Sequence, residues 1–228
     1  MKAVILAAGK GTRMGELSLN TPKPMLKVSG KTLLEHKLHS LPQEITEVIL
    51  VVGYLKEQII DAIGSSFEGR KIAYVIQEEQ KGTAHALFLC KELLKDEGRF
   101  LVMMGDDIYA KEDIAECITH DYSILISYTS TFTGNGAKVI FDESGVIQEI
   151  IEKYKGEESG YLCAGMYTIT PKIFEKQMAG ILNNEVGLPQ TILLMKDEVD
   201  IKAVKAHFWL QMTEPKDLEA AEEFFRNK

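Results

Sequence analysis

MKAVILAAGKGTRMGELSLNTPKPMLKV, residues 1–28, decides the reading of this 228-residue chain. Lys2–Leu6 is an apolar run too short for a helix and closed by Ala7-Ala8-Gly9, the pattern of a buried strand. The chain then opens into Gly9-Lys10-Gly11-Thr12-Arg13-Met14-Gly15. Glycines on both sides of Lys10 let the backbone come close to a ligand, and successive amide N–H groups can converge on a phosphate. Lys10 and Arg13 add cations, and Pro22-Lys23-Pro24 sets a further lysine on a stiffened turn. A strand edge, a glycine loop and three cations form a grip for a triphosphate.

Two better-known grips do not fit this spacing. A P-loop needs G-x-x-x-x-G-K-[S/T], and Lys10 stands outside that frame. A dinucleotide fingerprint needs G-x-G-x-x-G, and Met14 stands where the third glycine belongs.

Outward from this segment, short apolar runs alternate with helical patterns. Glu47–Val52, Ile72–Ile76 and Phe100–Met104 read as strands, and Leu33–Leu41, Leu55–Ile63 and Thr83–Leu94 as helices. The strands are continuously apolar, as a parallel sheet covered on both faces requires. After Tyr122 the pattern changes to Ser123–Ser130, Ala137–Phe141, Val146–Ile151 and Tyr161–Thr170, strands with few helices between them. Pro171 can open a short helix, Asp200–Lys205 is a last strand, and Pro215–Phe225 a terminal helix. The expectation is an α/β fold, a Rossmann-like three-layer sandwich with a mixed, mainly parallel sheet. No linker-like stretch or internal repeat divides the chain, so residues 1–228 read as one domain, without the hexapeptide repeats of a left-handed β-helix.

A net charge of −8 argues against a nucleic-acid polymer as partner, and the local cations suit a small anionic substrate. Cys90, Cys117 and Cys163 show no paired spacing and read as thiols of a reducing compartment. No apolar stretch approaches the ~20 residues of a membrane span. The expected location is the cytoplasm, with neither signal peptide nor membrane partner; a homo-oligomer is compatible with the sequence.

Three further segments carry chemistry. In Val102-Met103-Met104-Gly105-Asp106-Asp107, a strand ends in a carboxylate at the sheet edge where α/β folds bind ligands. Asp106 is a hard oxygen donor suited to Mg²⁺ that is completed by substrate phosphates, and Asp107 reads as a turn residue. In Gln77-Glu78-Glu79-Gln80-Lys81-Gly82-Thr83-Ala84, the Gln77 amide can read a pyrimidine edge and Gly82 can let the backbone approach a flat base. Thr83 falls near the cap of the following helix, and His85 on its face.

Leu6-Ala7-Ala8-Gly9-Lys10-Gly11-Thr12-Arg13-Met14, followed by Pro22-Lys23-Pro24-Met25, resembles the signature of the sugar-1-phosphate nucleotidylyltransferases. The resemblance runs from Lys2 to about Phe225 and implies a Mg²⁺-dependent transferase of activated-sugar biosynthesis. UTP or dTTP and a sugar 1-phosphate would give an NDP-sugar and pyrophosphate. It places Leu6, Ala8, Gly9, Gly11, Thr12, Gln77, Gly82 and Thr83 on the nucleotide. Arg13 falls on the departing pyrophosphate, Lys23 on the α-phosphate and Asp106 on the metal. It also places Gly136, Glu152, Lys153 and Cys163 on the acceptor, Glu152 holding sugar hydroxyls and Lys153 the sugar phosphate. Three departures stand out. Tyr154 follows Lys153 where relatives often have Pro, Cys163 replaces an Asn, and Gln211 in Trp209-Leu210-Gln211 replaces the Asp that is the second metal ligand. An amide oxygen at Gln211 is a weaker ligand for the same ion.

Other readings stay open at this point. A cytidylyltransferase on phosphocholine would need an aromatic cage, for which Tyr154, Tyr161, Tyr167 and Trp209 are available. A guanylyltransferase on mannose or heptose phosphate fits the pyrimidine-like Gln77 segment less well. An inactive nucleotide-binding regulatory relative is suggested by Gln211 and Cys163 and opposed by Arg13, Lys23 and Asp106.

Overall fold

The computed structural model describes residues 1–226. Strands Lys2–Ala7, Glu47–Val52, Arg70–Ile76 and Phe100–Met104 run parallel at the centre of a mixed ten-stranded sheet. Lys2–Ala7, Glu47–Val52 and Phe100–Met104 are buried on both sides, which is why the sequence shows apolar runs rather than alternation there, while Arg70–Ile76 lies half-exposed nearer the sheet edge. Within Glu47–Val52, Ile49 and Val51 join one core while Val48, Leu50 and Val52 join the other. Phe100 and Val102 likewise separate from Leu101 and Met103. Two cores, one on each face of the sheet, make the three layers expected from the sequence.

From Lys2–Ala7 the chain steps to Glu47–Val52 and on to Arg70–Ile76, then returns to lay Phe100–Met104 on the other side of the first strand. The strand order therefore reverses between Lys2–Ala7 and Phe100–Met104, and a crevice opens at their carboxyl ends. Beyond this point the sheet turns antiparallel. Gly160–Ile169 pairs antiparallel with Phe100–Met104 and with Ser123–Thr129, and Lys202–Lys205 joins Ser123–Thr129 as a parallel strand. The hairpin Lys138–Phe141 with Ile147–Ile151 joins the amino-terminal half of Gly160–Ile169 through Lys138 opposite Leu162.

Local signals explain most boundaries. Helix Leu33–Ser40 begins at a capping box, Thr32 Oγ1 accepting the Glu35 N–H and Glu35 accepting the Thr32 N–H. The expected Thr83–Leu94 helix is two pieces, Thr83–Phe88 and Lys91–Leu94. The buried Cys90 takes a φ of −87° and its N–H bonds to the Leu87 carbonyl three residues back, tightening the turn. Helices Lys111–Cys117 and Leu188–Leu193 had no separate signal in the sequence reading. A smaller core beneath the N-terminal loop gathers Met14, Leu26, Val28, Leu33, Ile108, Met212 and Ala221. No helix among the described residues is long and apolar enough to cross a membrane.

Candidate active site

The crevice at the reversal point holds a cavity of about 240 Å³. Leu6, Ala8, Gly9, Gly11, Lys23, Gln77, Gly82, Thr83 and Asp106, all named from the sequence, line it. Ala7, Pro24, Gln80, Ala86, Met104 and Glu185 complete the wall. Gln80 lies in the segment already singled out, while Glu185 arrives from a distant loop without a local signal.

Lys23 is buried, and its ammonium donates to Asp106 Oδ2 at 2.6 Å and to the Met212 carbonyl. The other Asp106 oxygen, Oδ1, has no protein partner among the described residues. Gly11, with φ of +62°, packs on the Lys23 stem so closely that a Cβ there would stand 2.9 Å from Lys23 Cβ. Ser18 Oγ donates to the Gly11 carbonyl at 2.9 Å and the Met14 N–H bonds to the same oxygen at 2.8 Å, fixing the loop on its short helix. The amides of residues 9–13 face no backbone acceptor in that arrangement. Thr12 and Arg13 are exposed at its edge, outside the cavity wall, and Arg13 makes no ion pair among the described residues.

Asp107 is more than the turn residue the sequence suggested. It is buried, and its carboxylate accepts Trp209 Nε1 at 3.0 Å and the Met212 N–H at 3.2 Å. These bonds draw Trp209–Leu210 alongside Ile108–Tyr109 and set Gln211 next to the residue whose carbonyl receives Lys23. Gln211 itself is partly exposed and makes no hydrogen bond among the described residues. Burial raises the Asp107 carboxyl to about 7, with the neighbouring Asp106 charge adding to it. The buried Lys37, which donates to the Asp107 carbonyl, is pulled down by burial to about 8.

Gln77 is buried, and its amide N–H group donates to the Gly82 carbonyl at 3.2 Å and meets His85 Nδ1 at 3.0 Å. His85 is thereby a partner of Gln77. Gln77 is itself part of the cavity wall. Gly82 lines the cavity and also lies close to this chain's own backbone. Its φ is +100°, and a Cβ there would stand 2.3 Å from the Val186 carbonyl oxygen, so no side chain fits at this position. Thr83 does not cap its own helix; its hydroxyl accepts the Leu188 N–H at 2.9 Å.

The residues expected on the acceptor stand apart from the cavity wall. Glu152 Oε2 accepts from Gln190 Nε2 at 2.8 Å. Lys153 is exposed at φ +49°, a left-handed turn at the end of the Ile147–Ile151 strand, and makes no ion pair among the described residues. A Cβ on Gly136 would meet Leu162 at 3.2 Å, so this glycine packs on the neighbouring strand. Cys163 lies where Gly160–Ile169 bulges against Ser123–Thr129, and its Sγ meets the Tyr167 hydroxyl at 3.4 Å. Burial pushes the Cys163 thiol up, as it does the Tyr167 hydroxyl.

No group of three or more His, Cys, Asp or Glu among the described residues could hold a metal by itself. One free carboxylate oxygen on Asp106 and one unengaged amide on Gln211 fit a divalent ion of hard-donor preference that takes its remaining ligands from phosphates and water.

A mainly parallel α/β sheet whose strand order reverses over a ligand-sized cavity defines a class of folds that bind ligands at that point. The family model for nucleotidyl transferases matches residues 2–227, and the chain belongs to that family. Among curated relatives, the bifunctional protein GlmU of Methanococcus maripaludis strain C5 is 33% identical over 238 aligned residues, covering 100% of this chain and 55% of that protein. The chain spans about half the length of the GlmU relatives it matches. The UTP–glucose-1-phosphate uridylyltransferase AglF of Haloferax volcanii is 34% identical, with 98% of this chain and 96% of AglF covered. A Bacillus anthracis protein assigned as a glucose-1-phosphate thymidylyltransferase, solved with a sucrose, superposes with a TM-score of 0.86. It shares 22% identity, with 100% of this chain and 96% of that one covered, and it supports the fold.

Proposed function

We propose that the chain transfers a nucleotidyl group from UTP or dTTP to a sugar 1-phosphate, releasing pyrophosphate. The observation that carries this reading is the buried Lys23 ammonium set against Asp106 in the switch-point cavity, beneath the glycine loop. A phosphate oxygen is already anionic at neutral pH, so the attacking group needs no base. The protein's work is then alignment and charge neutralisation around the α-phosphorus.

In this reading the open amides of residues 9–13, with Lys10 and Arg13, receive the β- and γ-phosphates, and Arg13 neutralises the departing pyrophosphate. Lys23 neutralises the α-phosphate as charge builds on it. Glu152 accepts sugar hydroxyls, Lys153 holds the acceptor phosphate, and Gly136 and Cys163 shape that side. Asp106 and Gln211 would hold Mg²⁺, which supplies Lewis-acid neutralisation of the phosphates. The Gln77 amide has its N–H group committed within the protein, which leaves an acceptor for the base. An acceptor suits the N3–H of uracil or thymine.

The aromatic side chains that a choline cage would need are spoken for separately. Tyr154 faces Lys138 at 4.1 Å, Tyr161 faces Lys205 at 5.5 Å, Tyr167 is buried against Cys163, and Trp209 is tied to Asp107. A sugar acceptor is therefore favoured over phosphocholine. The test is pyrophosphate release with and without Mg²⁺, crossing UTP, dTTP, CTP, GTP and ATP with glucose, N-acetylglucosamine, mannose and choline phosphates. Turnover with UTP or dTTP and a sugar 1-phosphate supports the reading. Preference for CTP with phosphocholine, or nucleotide binding without turnover across the panel, overturns it.

A further inference from the structure

We infer that Gln190 is a positioning residue that holds Glu152 in place for the acceptor. The inference rests on the reading of Glu152 given above. Gln190 lies on the Leu188–Leu193 helix, and Glu152 follows the end of the Ile147–Ile151 strand. The 2.8 Å bond from Gln190 Nε2 is the hydrogen bond that Glu152 receives among the described residues.

The orientation of this amide is informative. A carboxylate only accepts, so the group that fixes it must donate. With its N–H group turned to Glu152, the amide must point its oxygen the other way. That oxygen, Gln190 Oε1, is buried and has no hydrogen-bond partner. A buried acceptor without a donor is costly, and an amide free to turn would not keep it. The oxygen lies over Gly187, where a Cβ would stand 2.0 Å from Oε1 and 3.0 Å from Cδ. Any larger residue at position 187 would push the amide off Glu152.

The helix that carries Gln190 is also fastened to the nucleotide side. Val186 N–H bonds to the Lys81 carbonyl at 2.9 Å, Ala84 N–H to the Val186 carbonyl at 3.2 Å, and Leu188 N–H to Thr83 Oγ1 at 2.9 Å. Gln190 thereby places the Glu152 carboxylate relative to the cavity from a framework built on Gly82 and Thr83. Three chain segments far apart in sequence meet in this arrangement.

The test compares wild type with Gln190→Leu and Gln190→Glu in steady-state assays of pyrophosphate release. For Gln190→Leu, the KM for the sugar 1-phosphate should rise about tenfold while the KM for the nucleotide stays within about twofold, since one charge-assisted bond is lost on the acceptor side alone. For Gln190→Glu, the acceptor defect should be largest near about pH 8 and shrink toward about pH 6. A carboxyl pair that shares a proton there restores a donor to Glu152, whereas two carboxylates repel. A merely structural role predicts no such recovery. An unchanged acceptor KM in Gln190→Leu, equal rises in both KM values, or a pH-independent defect in Gln190→Glu overturns the inference while leaving the transferase reading intact. A wild-type protein inactive with every pair removes both.

Discussion

The half of the site proposed for the nucleotide stands on the carboxyl ends of parallel strands, while the half proposed for the acceptor stands on the antiparallel extension of the same sheet. In the first half, Leu6, Gly11, Lys23, Gln77 and Asp106 already share one cavity wall. In the second, Glu152, Lys153 and Cys163 lie outside that wall, each with its own local setting. The difference follows from the backbone. Parallel strands in register bring their ends together, as Leu6 opposite Met104 and Val52 opposite Ile76 show, so loops leaving them converge. The antiparallel part is joined by hairpins and a bulge, which set side chains along a surface rather than around a point. Loss of a group in the preformed half should therefore strike turnover, and loss in the open half should strike acceptor binding.

The largest expected effect is from Lys23→Ala. Removing the cation that meets Asp106 should lower kcat at least about a hundredfold, with circular dichroism showing the protein still folded. Near-normal turnover would break the comparison at its strongest point. Lys153→Met comes next. It should raise the KM for the acceptor phosphate by about tenfold and leave the nucleotide KM and kcat nearly unchanged, as steady-state kinetics would show. A kcat effect matching that of Lys23→Ala would mean the two halves are not separable.

The smallest effect concerns a buried carboxylate outside the cavity wall. Asp113 is fully buried, accepts the His207 and Phe208 N–H groups, and meets His207 Nδ1 at 2.6 Å. The Asp113 carboxylate raises the His207 pKa above its ordinary 6.5. The sign follows: the stabilisation is fully present below the unfolded value and is lost as pH rises through the raised folded value. His207 is exposed, so solvent screens the pair and the gain is small. Thermal melts of wild type and His207→Ala should differ most below about pH 6.5 and converge as pH climbs past the folded value. A difference that grows with pH would contradict this.

The strands were legible because burial leaves a mark at each position. Glu47–Val52 and Phe100–Met104 have the boundaries expected, since every residue between the ends must be apolar in a doubly covered sheet. The Thr83–Leu94 region was less legible, because the tightened turn at Cys90 answers to the core beneath it and leaves no local residue signal. Of the cavity wall, Leu6, Ala8, Gly9, Gly11 and Lys23 were legible because they stand within one short stretch of sequence. Asp107 was misread because its partners, Trp209 and Met212, lie 102 and 105 residues away.

The sequence by itself determined the fold class, the glycine loop with its cations, the strand-end Asp106 and the kinship with the nucleotidyl transferase family. These follow from local composition and spacing, which act within a few residues. Only the tertiary structure decided that Lys23 lies buried against Asp106, that Gly82 yields to Val186, that Gln77 is turned by His85, and that Gln190 reaches Glu152. Each of these depends on which of several possible partners packing brings within hydrogen-bond reach, and that choice is made by the sheet order and the loops crossing its edge.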